Sequence, residues 1–439
     1  MGGRTVLITT IGTRGDVEPF LALAKGLAGD GHAVAICTAT RYRDGIEDAG
    51  IGFLPMTGAL LDLMDTDDGR AALGGVGSIG AMRAGMRLAR LVRPINRQMM
   101  ADTLAAAETA RPDVIVFHPK AMAAPHVAEW LGIPAILGVL QPMYTPTAAF
   151  PAAGFPALPL GGAYNRATYA MVRASFGLYR KPVNDFRRSL GLAPVRDRAA
   201  VLRPDTARPA MTLHAISRHV LARPADWPET AQLTGYWFLD PPESDWRPPP
   251  DLAAFLAAGE PPVHVGFGSM PSTDPAGRAA LVVEALEQAG VRGLISSGWG
   301  GLAPQGHSPR ILSIGAAPHA WLFPRMAAVV HHGGAGTAAA GFRAGVPCVI
   351  CPFFGDQPFW ARRSVDLGVG APSIPQRKLT AERLAAAIRQ AVSDPSIRQR
   401  AADLGRLIRD EDGVRSAIAL VNAALGGKPG RATRSSTHD

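Results

Sequence analysis

Cysteine is scarce in this chain of 439 residues, which has three, at positions 37, 348 and 351. So sparse and odd a count excludes a disulfide framework and predicts a reducing compartment. Long hydrophobic runs are also missing, because no stretch approaches the ~18 apolar residues that a membrane-spanning helix needs. The short run Val6–Gly12, which is followed by Arg14, predicts neither a secretory signal nor an anchor. We therefore expect a cytoplasmic protein, or one that lies peripherally at a membrane surface.

Metal-ligating patterns are equally few. Cys348 and Cys351 have the spacing of a redox or half-zinc motif, but they lie in the apolar run Val346–Phe354 and no second such pair exists. We interpret them as buried structural thiols. Asp65, Asp67 and Asp68 resemble a metal-binding pair, but their polar surroundings favour a solvated loop. The sequence therefore predicts no metal site.

Charged residues make up only 18% of the chain, yet the net charge is +9. Such an excess suits nucleic acid, an anionic membrane surface or an anionic substrate. No basic helix with interleaved aromatic residues is present, so nucleic-acid binding lacks support. The 49 glycines and 38 prolines are scattered without a period, which excludes collagen and low-complexity linkers. Neither a partner for the whole excess charge nor an oligomeric state follows from the sequence.

Strand and helix patterns alternate, which indicates βαβ units and parallel sheets in an α/β fold. The Pro-rich segment 240–250 can be neither helix nor central strand. We predict a doubly wound domain over residues 1–235, a linker over 236–250, a second doubly wound domain over 251–425 and a disordered tail over 426–439. The helical segment 58–100 and the irregular segment 141–190 read as insertions around a groove. The predicted strands are Thr5–Thr10, Ala33–Thr38, Gly52–Pro55, Asp113–Phe117, Ile133–Leu140, Val263–Phe267, Gly293–Ser296, Arg310–Ile314, Ala327–His331 and Val346–Pro352.

A glycine-rich turn follows the strand that ends at His331. Glycines at such a turn let a ligand approach the backbone, and the unpaired amides of the next helix bind phosphate. His331 adds a side-chain donor there. After the next strand, Asp356 and Gln357 stand where open α/β sheets bind ligands, and a carboxylate beside an amide suits sugar hydroxyls. The turn comprises Gly333, Gly334, Ala335, Gly336 and Thr337.

The same segment nearly fits a dinucleotide fingerprint, with Asp356 about 20 residues beyond the glycines. An NAD(P)-dependent oxidoreductase is therefore an alternative. It leaves the pair of histidines at 331 and 332 unexplained. A third interpretation of the glycines is that they only allow close packing of helix on strand.

A second candidate site is the turn after the first strand, which contains Gly12, Thr13, Arg14 and Asp16. A carboxylate at this sheet edge can act as a general base on an alcohol. Asp16 is also a suitable N-cap for the helix predicted from Val17, so capping and catalysis both remain open. Weaker candidates are Ser269 for phosphate, Trp299 for stacking, and His118 as a spare base at the end of a strand.

Four stretches together resemble the UDP-glycosyltransferase superfamily with the GT-B fold (glycosyltransferase family 1), especially its sterol glucosyltransferase-like and glycopeptide-antibiotic branches. They are Gly12–Pro19 (GTRGDVEP), Pro318–Arg325 (PHAWLFPR), Val329–Thr337 (VVHHGGAGT) and Ala344–Trp360 (AGVPCVICPFFGDQPFW). They follow one another in the family's order, and the similarity covers nearly the whole chain. The resemblance implies two Rossmann-like domains facing a cleft, with the acceptor bound by the first and a nucleotide sugar by the second.

The resemblance also implies residue roles. Asp16 would be the general base, in place of the histidine that plant-type members use. The diphosphate would be held by His331 and the amides of 334–337 with help from Ser269, and the hexose by Asp356 and Gln357. Ala316 replaces the tryptophan that stacks on the base in plant-type members, so Trp299 would have to serve instead. The loop at Ala317 and His319 would hold the uracil, Gly12, Thr13 and Arg14 would line the donor, and His118, Met143 and Phe150 would line the acceptor.

The resulting prediction is an inverting, metal-independent transfer of a hexose, glucose from UDP-glucose, to a lipophilic alcohol such as a sterol, carotenoid or polyketide. No cofactor is expected beyond the nucleotide sugar as co-substrate. Besides the oxidoreductase, a non-catalytic lipid- or glycan-binding relative is the other alternative, and the presence of Asp16, Asp356 and Gln357 argues against it.

Overall fold

The computed structural model describes residues 3–64, 66, 79–202, 211–239, 246–268, 274–296 and 308–426. Within them the chain forms two wholly parallel sheets, which confirms the predicted α/β class with two doubly wound sheets. The first sheet has the order β3-β2-β1-β4-β5-β6-β7 and the second β10-β9-β8-β11-β12. The strands β1 to β12 are Thr5–Thr9, Ala33–Ala39, Gly52–Met56, Val114–Phe117, Ala135–Val139, Met211–His214, Ala231–Leu233, Val263–Gly266, Gly293–Ser296, Ile311–Ile314, Ala328–His331 and Cys348–Ile350.

Helices cover both faces of each sheet, because the strands are apolar on both sides. In β1, Val6 and Ile8 belong to one hydrophobic cluster and Leu7 to another on the opposite face. The α-helices are Arg14–Gly29, Arg43–Glu47, Ala59–Met64, Ile79–Ala110, Ala124–Leu131, Gly161–Ser175, Arg180–Ser189, Pro250–Ala257, Pro275–Ala289, His319–Leu322, Ala335–Ala344, Gln357–Asp366, Ala381–Ser393, Pro395–Arg409 and Gly413–Gly426.

Three predictions about local structure are wrong. The prediction that residues 141–190 are irregular is wrong for the second half of this segment, which forms the helices Gly161–Ser175 and Arg180–Ser189. The prediction that the Pro-rich segment contains no helix is wrong at its end, where Pro250 is the first residue of a helix. Proline is tolerated there because the backbone N–H that it lacks has no partner in the first turn of a helix. The first helix starts at Arg14 with Thr13 as its N-cap, so Asp16 is the third helical residue and not the cap.

The strand order places a crevice at the carboxyl end of each sheet. The chain runs outward in opposite directions from the pair β1 and β4, and likewise from β8 and β11. At such a switch point the following loops diverge and leave room for a ligand. Asp16 lies in the first turn of the helix that follows β1, and His118 directly follows β4. The loops that carry Gly268 and Gly333 follow β8 and β11.

The last described helix, Gly413–Gly426, packs on the first sheet's domain. Its Ala417 and Val421 lie in one hydrophobic cluster with Phe20 and Leu27. Glycine is needed at position 26, where a Cβ would come within 2.5 Å of Val414 Cγ1. The chain therefore crosses back after completing the second sheet.

All three cysteines are buried free thiols, as expected. Burial raises the pKa of the Cys348 thiol, and that of Cys351, to about 12. No group of three or more metal-ligating side chains occurs among the described residues. Over the same residues, none of the helices is both long and apolar enough to cross a membrane.

Candidate active site

Asp16 lies at the crevice of the first sheet, where its carboxylate is fixed on several sides. Its Oδ2 accepts a hydrogen bond from the Thr13 amide at 2.9 Å, and the Lys120 Nζ lies 3.0 Å from the same oxygen. Its Oδ1 lies 3.4 Å from Nε2 of His118. The residue is only 8% exposed. Since Asp16 Oδ2 accepts the Thr13 amide at the helix start, the side chain does stabilise this helix end, and its other oxygen stays in contact with His118.

Gly12 makes this position of the carboxylate possible. Its φ is 148°, in the range that favours glycine, and a Cβ there would lie 2.0 Å from Asp16 Oδ2. The Tyr42 hydroxyl donates to the Gly12 carbonyl at 3.0 Å, which fixes the turn from the other side. The Thr10 hydroxyl donates to the Asp16 carbonyl. The turn is thus shaped around the carboxylate.

His118 enters the site as a neutral ring. Burial lowers its pKa, which outweighs the opposite effect of the nearby Asp16. Its Nδ1 accepts the Lys120 backbone amide at 3.2 Å, which assigns the proton to Nε2, the atom that faces Asp16. Phe20 holds the ring edge-on at 5.8 Å between centroids. His118 therefore orients the Asp16 carboxylate and is not itself a base in this state.

The charge state of Asp16 is set by opposing effects. Burial alone would raise its pKa, but the Lys120 ammonium and the contact with His118 together hold the pKa well below its usual range. Asp16 is therefore ionised throughout the neutral range. A carboxylate with so low a pKa is a weak proton acceptor as long as Lys120 remains beside it.

The second crevice holds the glycine turn. Gly333 has a φ of 92°, and a Cβ there would come within 2.6 Å of Ile350 Cγ2. Gly334 is the N-cap of the helix Ala335–Ala344, with no side-chain cap. The first intrahelical bond runs from the Ala338 amide to the Gly334 carbonyl. The amides of residues 335–337 thus precede the helical ladder and suit an anion.

The two histidines before this turn have different surroundings. His331 has no exposed surface, and its Nδ1 accepts the Gly333 amide at 3.0 Å. Its ring therefore shapes the turn in this conformation. His332 is only partly buried, and a Cβ on Gly334 would lie 2.7 Å from its Nε2. Burial lowers the pKa of His332 to about 4, so it faces the turn as a neutral ring.

Asp356 and Gln357 lie at the start of the helix Gln357–Asp366. The Trp360 indole donates to Asp356 Oδ2 at 2.8 Å, and Gln357 Oε1 accepts the Phe353 amide at 2.7 Å. Burial is the main cause that raises the pKa of Asp356 to about 6; the negative charge of Asp16 also raises it, while the Trp360 hydrogen bond and the Lys120 ammonium lower it. Asp356 follows the last strand of the second sheet, as Asp16 follows the first strand of the first sheet.

Side-chain contacts join the two domains. Phe150 packs edge-to-face on Phe359, with 5.8 Å between ring centroids. Burial raises the pKa of Tyr144, and the negative charges of both Asp16 and Asp356 raise it further.

The structure places the remaining predicted site residues as follows. Gly12, Thr13 and Arg14 adjoin Asp16, and the exposed Arg14 pairs with Glu18. Met143 and Phe150 pack on a hydrophobic cluster that contains residues of both domains. His319 is exposed and stacks on Phe323, and Ala317 is partly buried nearby. Ser269, Trp299 and the acidic residues at 65, 67 and 68 lie outside the described residues.

Lys120, His332 and Tyr144 are not among the residues predicted from the sequence, although Lys120 contacts Asp16 and His332 lies beside Gly334. Lys120 had a detectable signal, because it comes two residues after His118 in the loop that follows a strand. His332 is adjacent to the residue chosen instead. Tyr144 lies in a loop whose path only the three-dimensional structure shows.

Comparison with known proteins identifies both halves of the chain. Residues 6–151 match the glycosyltransferase family 28 N-terminal domain, and residues 306–411 match the erythromycin biosynthesis protein CIII-like C-terminal domain. A sterol 3-beta-glucosyltransferase of Arabidopsis thaliana is 34% identical over 94% of this chain and 67% of its own length. One of Emericella nidulans is 37% identical over 94% of this chain. The chain spans only 29% of that fungal protein.

A solved structure supports the fold. The glycosyltransferase of kitacinnamycin superposes with a TM-score of 0.74 at 22% identity, covering 97% of this chain and 100% of its own. The two parallel-sheet domains agree with both sets of matches. The chain belongs to the glycosyltransferases of the GT-B fold, in the sterol glucosyltransferase-like group.

Proposed function

We propose that this glycosyltransferase transfers a hexose from a nucleoside diphosphate sugar, with UDP-glucose as the first candidate, to a hydroxyl of a lipophilic acceptor. The proposal is carried by the presence of Asp16 at the crevice of the first sheet and of the glycine turn at the crevice of the second, in two domains that touch through Phe150 and Phe359. A base and an anion-binding turn are what the attack of an alcohol on a diphosphate sugar requires. Membership of a glycosyltransferase family argues against reading the turn as an NAD(P) site.

In the proposed reaction, Asp16 takes the proton of the acceptor hydroxyl as its oxygen attacks the anomeric carbon. The bond from that carbon to the diphosphate breaks, and its electron pair leaves with the diphosphate. Attack from the opposite face inverts the anomeric configuration. His118 keeps the carboxylate oriented while Asp16 receives the proton.

The negative charge that develops on the diphosphate would be held by fixed groups. The amides of residues 335–337 and the positive end of the helix Ala335–Ala344 supply this stabilisation without reorganising. His332 would add one hydrogen bond, and a diphosphate beside it would raise its pKa. We therefore propose a transfer that needs no metal ion.

Ligand binding tests the proposal without knowledge of the acceptor. The melting temperature should rise with UDP or dTDP and stay unchanged with NADH. The matched variant Gly333→Ala, whose Cβ would meet Ile350, should lose the shift with UDP. A rise with NADH alone would favour the oxidoreductase and overturn the proposal.

Asp356 gives donor binding a pH dependence. Its raised pKa of about 6 means that the carboxylate is protonated below that pH and ionised above it. An ionised carboxylate accepts more hydrogen bonds from sugar hydroxyls, so the donor KM should rise as the pH falls through 6. Asp356→Asn should raise the donor KM about tenfold at pH 8 and remove this dependence. The control Asp366→Asn, at the exposed end of the same helix, should keep the wild-type profile.

Peripheral membrane contact is a further part of the proposal. Leu160 and Met171 are 61% and 60% exposed, and three helical turns separate them, so they share one face. Leu178, 81% exposed, continues this apolar face. The net charge of +9 favours an anionic lipid surface.

The triple change of Leu160, Met171 and Leu178 to serine should reduce co-sedimentation with anionic vesicles severalfold. Activity on a water-soluble acceptor should be unaffected. Equal co-sedimentation of the variant and the wild type with the vesicles would show that this apolar face does not bind membranes.

A further inference from the structure

We infer that Lys120 occupies the position of the acceptor hydroxyl on Asp16 in the resting enzyme and leaves when an acceptor binds. Lys120 is then a positioning residue that uncovers the base only in the presence of an acceptor. The inference rests on the proposed role of Asp16 as the general base.

The contacts of the carboxylate single out Lys120 as the group that can leave. Thr13 holds Oδ2 through a backbone amide that belongs to the helix start. The His118 side chain is 3% exposed and confined by Phe20. The Lys120 side chain is 46% exposed, against 11% for Asp16. A flexible, half-exposed ammonium regains water when it moves away, whereas Asp16 and His118 cannot follow it.

Lys120 also lines a small apolar cavity. This cavity has a volume of about 10 Å³, room for about one water molecule, and lies between the long helix Ile79–Ala110 and the loop after β4. Three methionines line it, and their unbranched, polarisable side chains adapt to ligands of irregular shape. The lining residues are Asn96, Met99, Met100, Thr103, Lys120, Ala121, Met122 and Ala123.

The Lys120 side chain therefore contacts Asp16 and also lines the cavity. A lipophilic alcohol that packs its apolar body beside these methionines would bring its hydroxyl to the half-exposed side chain of Lys120. The hydroxyl can replace the ammonium as the hydrogen-bond donor to Asp16 Oδ2, which lies 3.0 Å from Nζ.

Departure of Lys120 changes the basicity of Asp16. With the ammonium gone, burial is the main influence on Asp16, and burial favours the protonated carboxyl. Asp16 then takes the alcohol proton more readily. While Lys120 is in place, a water molecule in the cleft meets a weak base, so hydrolysis of the donor is suppressed. The other titratable groups that face Asp16 are His118, Tyr42, Tyr144 and Asp356.

Lys120→Met tests the inference, because methionine keeps an unbranched apolar stem and removes the charge. We measure hydrolysis of UDP-glucose without acceptor, the acceptor KM, and the pH profile of kcat/KM. Hydrolysis should rise about tenfold, and the acceptor KM should fall because no ion pair has to be broken. The acid limb of kcat/KM should move up by at least about one pH unit, since one unit is a tenfold change in proton affinity. Lys120→Arg, which keeps the charge, should hold hydrolysis and the acid limb near those of the wild type.

Unchanged hydrolysis and an unmoved acid limb in Lys120→Met, in an otherwise active enzyme, would overturn the inference. A fall in kcat with an unchanged acceptor KM would also overturn it, because Lys120 would then assist the reaction itself. Lys120→Gln, whose neutral amide still donates to Asp16, provides the same readouts should the methionine variant fail to fold. If the wild type and Asp16→Asn transfer sugar equally well, the proposed function of Asp16 fails instead.

Discussion

Asp16→Asn should lower kcat for sugar transfer roughly a thousandfold, within the range that a positioned general base contributes. The amide has nearly the shape of the carboxylate, so the Thr13 amide keeps an acceptor and the turn keeps its geometry. It cannot take the proton of the attacking hydroxyl. The affinity for UDP, measured by titration, should remain that of the wild type because the glycine turn lies in the other domain.

Glu18→Gln is the matched control for this change. Glu18 lies on the same helix and pairs with Arg14, but its side chain is 38% exposed and outside the crevice. It should retain kcat within a factor of about two, as expected for a surface ion pair. If Asp16→Asn turned over at the wild-type rate, Asp16 would not be the general base.

Gly12→Ala should lose activity to a similar degree although no chemical group is removed. The new Cβ would lie 2.0 Å from Asp16 Oδ2, so the carboxylate must move or the turn must open. The backbone also has a φ of 148°, which costs a residue with a Cβ of the order of 1–3 kcal/mol. We expect kcat to fall at least about a hundredfold, with a lower melting temperature and UDP affinity retained.

Gly15→Ala is the control for Gly12→Ala. It shows whether any added methyl group near Asp16 lowers activity, or only one that displaces the carboxylate. Gly15 lies in the same turn of helix, and a Cβ there meets nothing within 4 Å. It should keep full activity and gain a little stability from helix propensity. Equal loss in both variants would mean that the turn, and not the carboxylate position, governs activity.

The sheets and both ligand turns could be predicted because each depends on local pattern. β-Rich runs bounded by glycine predicted ten of the strands, and glycines after a strand predicted the turn proposed to bind an anion. The last two strands of the first sheet, Met211–His214 and Ala231–Leu233, were missed, since such short runs carry little periodicity. The helices between residues 161 and 189 were missed because the prolines and glycines there lower the predicted helix propensity. In the folded protein, tertiary packing outweighs that propensity.

Contacts between distant segments could not be derived from the sequence. Asp16 and Lys120 meet only because β1 and β4 are neighbours, which depends on the order of strands. The different burial of His331 and His332 follows from the point at which β11 ends. The sequence therefore predicted the candidate base and the candidate anion-binding turn, but not the ammonium of Lys120 that pairs with Asp16.

The anomeric configuration of the product tests the central claim most directly. Purified protein is incubated with UDP-glucose and a panel of lipophilic alcohols that includes sterols. The glucose of this donor is α-linked. The linkage in the product is assigned from the NMR coupling of its anomeric proton. The account predicts a β-linked glucoside, formed by wild type in the presence of EDTA and not by Asp16→Asn. An α-linked product, or transfer that EDTA abolishes, would contradict a single displacement driven by Asp16 and the glycine turn.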